Sequence, residues 1–183
     1  TAASHLGRGK QAIHDNRKAA DLAIQDNPGS SLARFATHNY ALEELLYGNY
    51  GKGVKGMEES LTLSTSKGAQ LARQIMLAGI YAQGGEIAKA EEYLKTASGN
   101  MGNLMTWPHM GAKNMEVLFD NARAFIMAAQ GNTAEAEALL RKTIESWRPF
   151  KDKDIMPGVL DPKTAGRMHV YFLRNLGQLL LNQ

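Results

Sequence analysis

The chain has no cysteine among its 183 residues. That excludes disulfides, thiolate metal sites and cysteine nucleophiles, and it fits cytoplasm and periplasm equally. Long apolar runs are missing too. The longest, 76–82 and 124–130, fall far short of the roughly 18 residues of a membrane span. Charge of one sign hardly prevails: 21 basic against 18 acidic residues leave a net +3, and the basic residues are dispersed. The electrostatic footprint of a nucleic-acid binder is therefore absent.

Catalytic signatures are also lacking. There is no Gly-x-Ser-x-Gly elbow, His-Glu-x-x-His pair or Walker loop. Gly7-Arg8-Gly9-Lys10 lacks the spacing and the hydroxyl residue of a phosphate loop, and reads as the start of a helix. The five histidines, at 5, 14, 38, 109 and 169, share no metal-ligand spacing. We expect no catalytic residue, metal or cofactor. The small residues Thr1-Ala2-Ala3-Ser4 resemble what a signal peptidase leaves, but no apolar segment precedes them to test that. Localisation stays open between the two compartments.

What the sequence does contain is one phrase written three times. The copies are Gly48-Asn49-Tyr50 with Gly53 and Met57, Gly85-Glu86-Ile87 with Ala90 and Leu94, and Gly131-Asn132-Thr133 with Ala136 and Leu140. Each follows a run of helical periodicity and opens another, so each marks the turn of a helical hairpin. A repeat of roughly 34 residues indicates stacked hairpins that bury their apolar faces only against one another. At 44% hydrophobic residues the chain can fill such a core.

The middle copy, about 71–104, is the fullest. Leu77, Ala78 and Tyr81 lie on its first helix, Gly84-Gly85 end it, and Ala90, Leu94 and Ala97 lie on the second. Small residues at 78, 90 and 97 admit close helix axes, while Leu77, Tyr81 and Leu94 fill the gaps. This copy resembles the tetratricopeptide repeat, with its W-x2-L-G-x2-Y, A-x3-F and P pattern. The copy before it, about 34–67, has Glu44 where that family has an aromatic residue and Gly53 where it has alanine. Gly51 and Gly56 also stand in its second helix. Each interior glycine costs about 0.8–1 kcal/mol relative to alanine, so this helix is expected to start late or fray. The copy after it, about 117–150, has Arg123 in place of leucine.

The resemblance implies an all-α, right-handed solenoid of antiparallel helix pairs. We read one repeat domain over 1–183, with three full repeats and flanking helices at about 9–26 and 164–182. Spacing exposes two insertions. Gly48 to Gly85 spans 37 residues, but Gly85 to Gly131 spans 46, and the excess falls on 99–111. The second is the connection 148–163, which holds three of the five prolines.

In this family the first helix of each pair lines a concave groove. Carried over, the groove positions are Phe35, His38, Leu42 and Leu45, then Ala72, Ile75, Gly79 and Ala82, then Leu118, Asn121, Phe125 and Ala128. The set is apolar apart from His38 and Asn121, without the cations that clamp a C-terminal carboxylate in chaperone adaptors. Trp107, in a methionine-rich loop with His109, is the other candidate contact, or else a satellite core under the repeats. The function implied is a non-enzymatic scaffold or adaptor whose groove takes a protein or peptide with an apolar or amphipathic helical segment. The alternative is an accessory, substrate-recruiting segment of a larger multidomain enzyme. The last helix should cap the array by packing on 134–147, with Arg167, Arg174, Asn175 and Gln178 outward, which favours a monomer.

Overall fold

The computed structural model describes residues 9–101, 112–151 and 162–181. Among these there are eight α-helices and no strand: α1 (Gly9–Asp26), α2 (Ser31–Leu46), α3 (Tyr50–Thr62), α4 (Lys67–Gln83), α5 (Ile87–Met101), α6 (Ala112–Ala129), α7 (Thr133–Lys151) and α8 (Pro162–Leu181). The protein is all-α. Residues 99–101 of the first insertion extend α5 rather than forming a loop. The rest of it, and most of the 148–163 connection, lie outside the described residues.

The three repeated phrases fold to one backbone geometry. Gly48, Gly85 and Gly131 take φ of 79°, 80° and 90°. That left-handed region is open to glycine at little cost. In each turn the glycine N–H donates to the carbonyl three residues back: Leu45 at 3.2 Å, Ala82 at 3.1 Å and Ala128 at 3.0 Å. The next N–H donates to the carbonyl five residues back: Glu44, Tyr81 and Met127, each at 2.9 Å. This pair of bonds is the Schellman cap. The residue after the glycine already serves the following helix, because its carbonyl accepts from Gly53, Ala90 or Ala136 at 3.0 Å. Small side chains recur at those three positions because all three residues are buried at the close of the hairpin.

A side chain at the left-handed position is strained, so Gly131→Ala should lose about 1–2 kcal/mol in thermal unfolding. Gly84→Ala, one residue before a turn glycine and without positive φ, should leave stability within about 0.5 kcal/mol. Equal melting temperatures for the two variants would contradict this account of the turns.

Contacts divide the chain into two compact units, Thr1–Leu77 and Ala78–Gln183, with the boundary inside α4. In the first unit α2 packs against both α1 and α3. Helix α3 begins directly after Asn49, so the expected late start does not occur. Two of its three glycines belong to the packing instead, and Gly51 faces open space. Gly53, Gly56, Met57 and Ser60 form the buried face. A Cβ on Gly56 would meet the Ala41 Cβ at 3.0 Å and the Tyr40 ring at 3.2 Å, and one on Gly53 would strike the Leu45 side chain. Close approach of α3 to α2 offsets the weak helix propensity of glycine.

In the second unit Tyr81 of α4 stacks on Tyr93 of α5 at 5.6 Å, and Ala90 and Ala97 are fully buried. Gly79 faces the Ala122 backbone of α6 at 3.7 Å. Helix α8 packs on α7 and touches α6. Phe172 joins Val117 and Trp147 in one cluster, with Leu118 and Ile144 against it. Leu179 joins Ala124, Ala136 and Leu140 in another, bordered by Ala128, Leu139 and Leu176. The last helix thus covers the apolar side of α7, as its pattern implied.

Candidate functional site

Helix α2 carries an exposed apolar stripe. Leu32, Phe35, Leu42 and Leu46 fall on one face at helical spacing, with the exposed Asn39 between Phe35 and Leu42. Leu32 is 65% exposed, Phe35 53% and Leu46 49%, while Leu42 is half-buried. The helix is held by its opposite side, where Ala33, Ala36, Thr37 and Ala41 are buried. Ser30 caps it, with its Oγ accepting from the Ala33 N–H at 3.1 Å.

Beside the stripe lies a group of cations without acids. Arg73, on α4, is only 7% exposed, and its Nε donates to Ser60 Oγ of α3 at 3.3 Å. Arg34, on α2, is half-buried; its guanidinium stands 5.3 Å from the Phe35 ring centroid, and its buried Nε has no acceptor. The His38 Nδ1 and Gln74 Oε1 are likewise buried without partners. Among the described residues no carboxylate forms an ion pair with Arg34 or Arg73. Burial, and then the nearby Arg34, lower the Arg73 guanidinium to about 10. Burial, and then Arg73, hold the His38 imidazole down at about 3, so it is neutral at physiological pH.

The carried-over positions separate into two sets. Phe35, His38 and Leu42 lie on or beside the exposed stripe of α2. Leu45 is half-buried and turned toward Gly53 within the hairpin. Ile75 is 1% exposed and Phe125 5%, so both are core residues. Leu118 and Ala128 pack against the clusters that contain Phe172 and Leu179. Asn121 is 3% exposed, and its Oδ1 accepts from Asn175 Nδ2 at 3.0 Å. The groove positions of α6 are thus met by the chain's own α8. Asn175, expected on the outer side of that helix, faces inward for the same reason. Trp107 lies outside the described residues.

Sequence reasoning missed the cluster around Arg73 because that residue stands one place from a carried-over position. A local signal was present: neither Arg34 nor Arg73 has an acid within one helical turn on its own helix. Among the described residues there is no group of three or more potential metal-ligating side chains, and no helix is long and apolar enough to cross a membrane.

No protein-family model matches the chain, and no curated protein matches it. Among solved structures, the chain is similar to the nearly identical TPR-like repeats of a Podosopora anserina protein assigned as a kinesin light chain. The identity is 15% and the TM-score 0.56, over 99% of this chain and 91% of that one. A single-substitution variant of those repeats gives 16% identity and a TM-score of 0.58, over 98% and 89%. At such identity the likeness is one of fold. The fold is a tetratricopeptide-like helical repeat.

Proposed function

We propose that this protein is a binding scaffold without catalytic activity, and that it docks an apolar or amphipathic helical segment of a partner on the exposed face of α2. The observation that carries this reading is the stripe of Leu32, Phe35 and Leu46, all about half exposed or more on one helix face. Contiguous exposed apolar area is uncommon on a folded surface without a role in association. An apolar helix face such as this, from Leu32 to Leu46, is a natural match for an amphipathic partner helix.

Pull-down from native extract with the wild-type chain and a Leu32→Glu/Phe35→Glu variant tests this. The variant should keep its helical circular dichroism and lose the bound partner, because a charge placed in an apolar contact costs several kcal/mol. Identical bound sets would place the site elsewhere, with Trp107 the next candidate.

A further inference from the structure

We propose that two copies of this chain pair through α8, the two helices running antiparallel and crossing at Gly177. The inference is independent of the docking face on α2. The polar outer side expected of α8 is only partly present. Arg174 and Gln178 are exposed, but so are Leu173 at 46%, Leu180 at 41% and Leu181 at 87%. With Gly177, these leucines fall within about 100° of the helix circumference, because each residue advances about 100°. The opposite side, through Phe172, Asn175 and Leu179, is buried against α6 and α7.

The chain's own hairpins show what covers such a face. Gly177 stands in α8 where Ala41, Ala78 and Ala124 stand in α2, α4 and α6; Leu77-Ala78 with Tyr81 corresponds to Leu176-Gly177 with Leu180. The three alanines are fully buried. Ala41 lies against Gly56 of α3, and Ala124 clusters with Ala136 and Leu140 of α7. At Gly177, by contrast, a Cβ would meet nothing within 4 Å. Glycine weakens a helix interior, and here no close neighbour within the chain offsets that loss.

The helices that cover the alanines share a pattern, a small residue with a long aliphatic one four places on: Gly53 and Met57, Ala90 and Leu94, Ala136 and Leu140. Helix α8 carries the same pattern as Gly177 and Leu181. One helix therefore holds both halves of the hairpin contact, which is what a self-complementary, two-fold interface requires. Leu173 and Leu181 lie four residues either side of Gly177. An antiparallel crossing there sets Leu173 of each copy against Leu181 of the other, and Leu180 against the aliphatic stem of Arg174. A single helix crossing buries less than the roughly 800 Å² per partner of a stable interface, so the pair is weak, with a Kd on the order of 0.1 mM.

Sedimentation equilibrium of the full chain, at concentrations spanning that Kd, should show a monomer passing to a dimer and to nothing larger. Gly177→Gln fills the notch and Leu181→Glu places a charge in the contact; each should weaken pairing by about tenfold or more. In dilute solution both variants should melt at or above the wild-type temperature, since neither position is packed within the monomer. A clear decrease for Gly177→Gln would make the glycine structural and overturn the proposal. Leu173→Lys and Leu181→Glu test the direction of the crossing. Neither variant should pair with itself, but the two should pair with each other, because the antiparallel arrangement sets the new cation against the new anion. Failure of that mixture to recover the dimer would overturn the antiparallel crossing. A chain that stays monomeric throughout, or one that grows past the dimer, would overturn the pairing itself. A dimer that ignores the α8 substitutions but is lost in Leu32→Glu/Phe35→Glu would place self-association on α2 and also overturn it. None of these results bears on capture of a partner by α2, which the pull-down tests separately.

Discussion

Trp147→Ala should lower the stability of the second unit by about 3–5 kcal/mol, the usual cost of removing a large aromatic side chain from a core. Trp147 is 2% exposed, and its ring meets that of Phe172 edge-on, with centroids 5.7 Å apart. Val117, Leu118 and Ile144 complete the cluster. The cavity would open between α6, α7 and α8, and Phe172 and Leu179 of α8 are among the side chains that reach the core. Hydrogen exchange should therefore quicken first in α8. As a control, Leu181→Ala, at 87% exposure, should change stability by less than about 0.5 kcal/mol. A melting temperature unmoved by Trp147→Ala would show that α8 is held by other contacts.

Acidification should destabilise the first unit well before the carboxylates titrate. His38 is held at about 3 in the fold, against 6.5 for an unperturbed histidine. The folded value is lowered, so between those limits the unfolded chain takes up a proton that the folded chain refuses. Stability is then full above pH 6.5 and falls as pH drops toward 3. One ionising group contributes at most about 1.4 kcal/mol per pH unit, and partial exposure of the ring reduces that. Burial is the larger cause, and Arg73 is the facing charge. Denaturant unfolding at several pH values, wild type against His38→Gln, isolates the effect from general acid denaturation. Parallel profiles would mean that the imidazole is solvated.

The parts of this fold that were legible in the sequence are those fixed by neighbouring residues. Gly48, Gly85 and Gly131 announce their turns because the cap needs φ near 80° to 90°, and the bonds that close it lie within six residues. The flanking helices were legible for a similar reason, since an apolar face recurs at a helical period. Helix α3 was misread because propensity counts Gly53 and Gly56 as losses, whereas Leu45, Tyr40 and Ala41 of α2 turn them into points of contact. Asn121 was misread because its partner, Asn175, lies 54 residues away. A polar residue on a first helix looks the same whether it faces a groove or a buried amide. The cations beside α2 were missed because Arg34 and Arg73 come together only when two helices pack.

The caps also bear on how order arises during folding. Each link joins residues only a few positions apart, so a hairpin can close without searching for a distant stretch of chain. Topologies rich in such short-separation contacts fold faster than those that must first pair remote segments. Contacts such as that of Asn175 with Asn121, 54 residues apart, need a longer search. By that rule the final helix, whose Asn175 pairs 54 residues away, is expected to dock after the hairpins close.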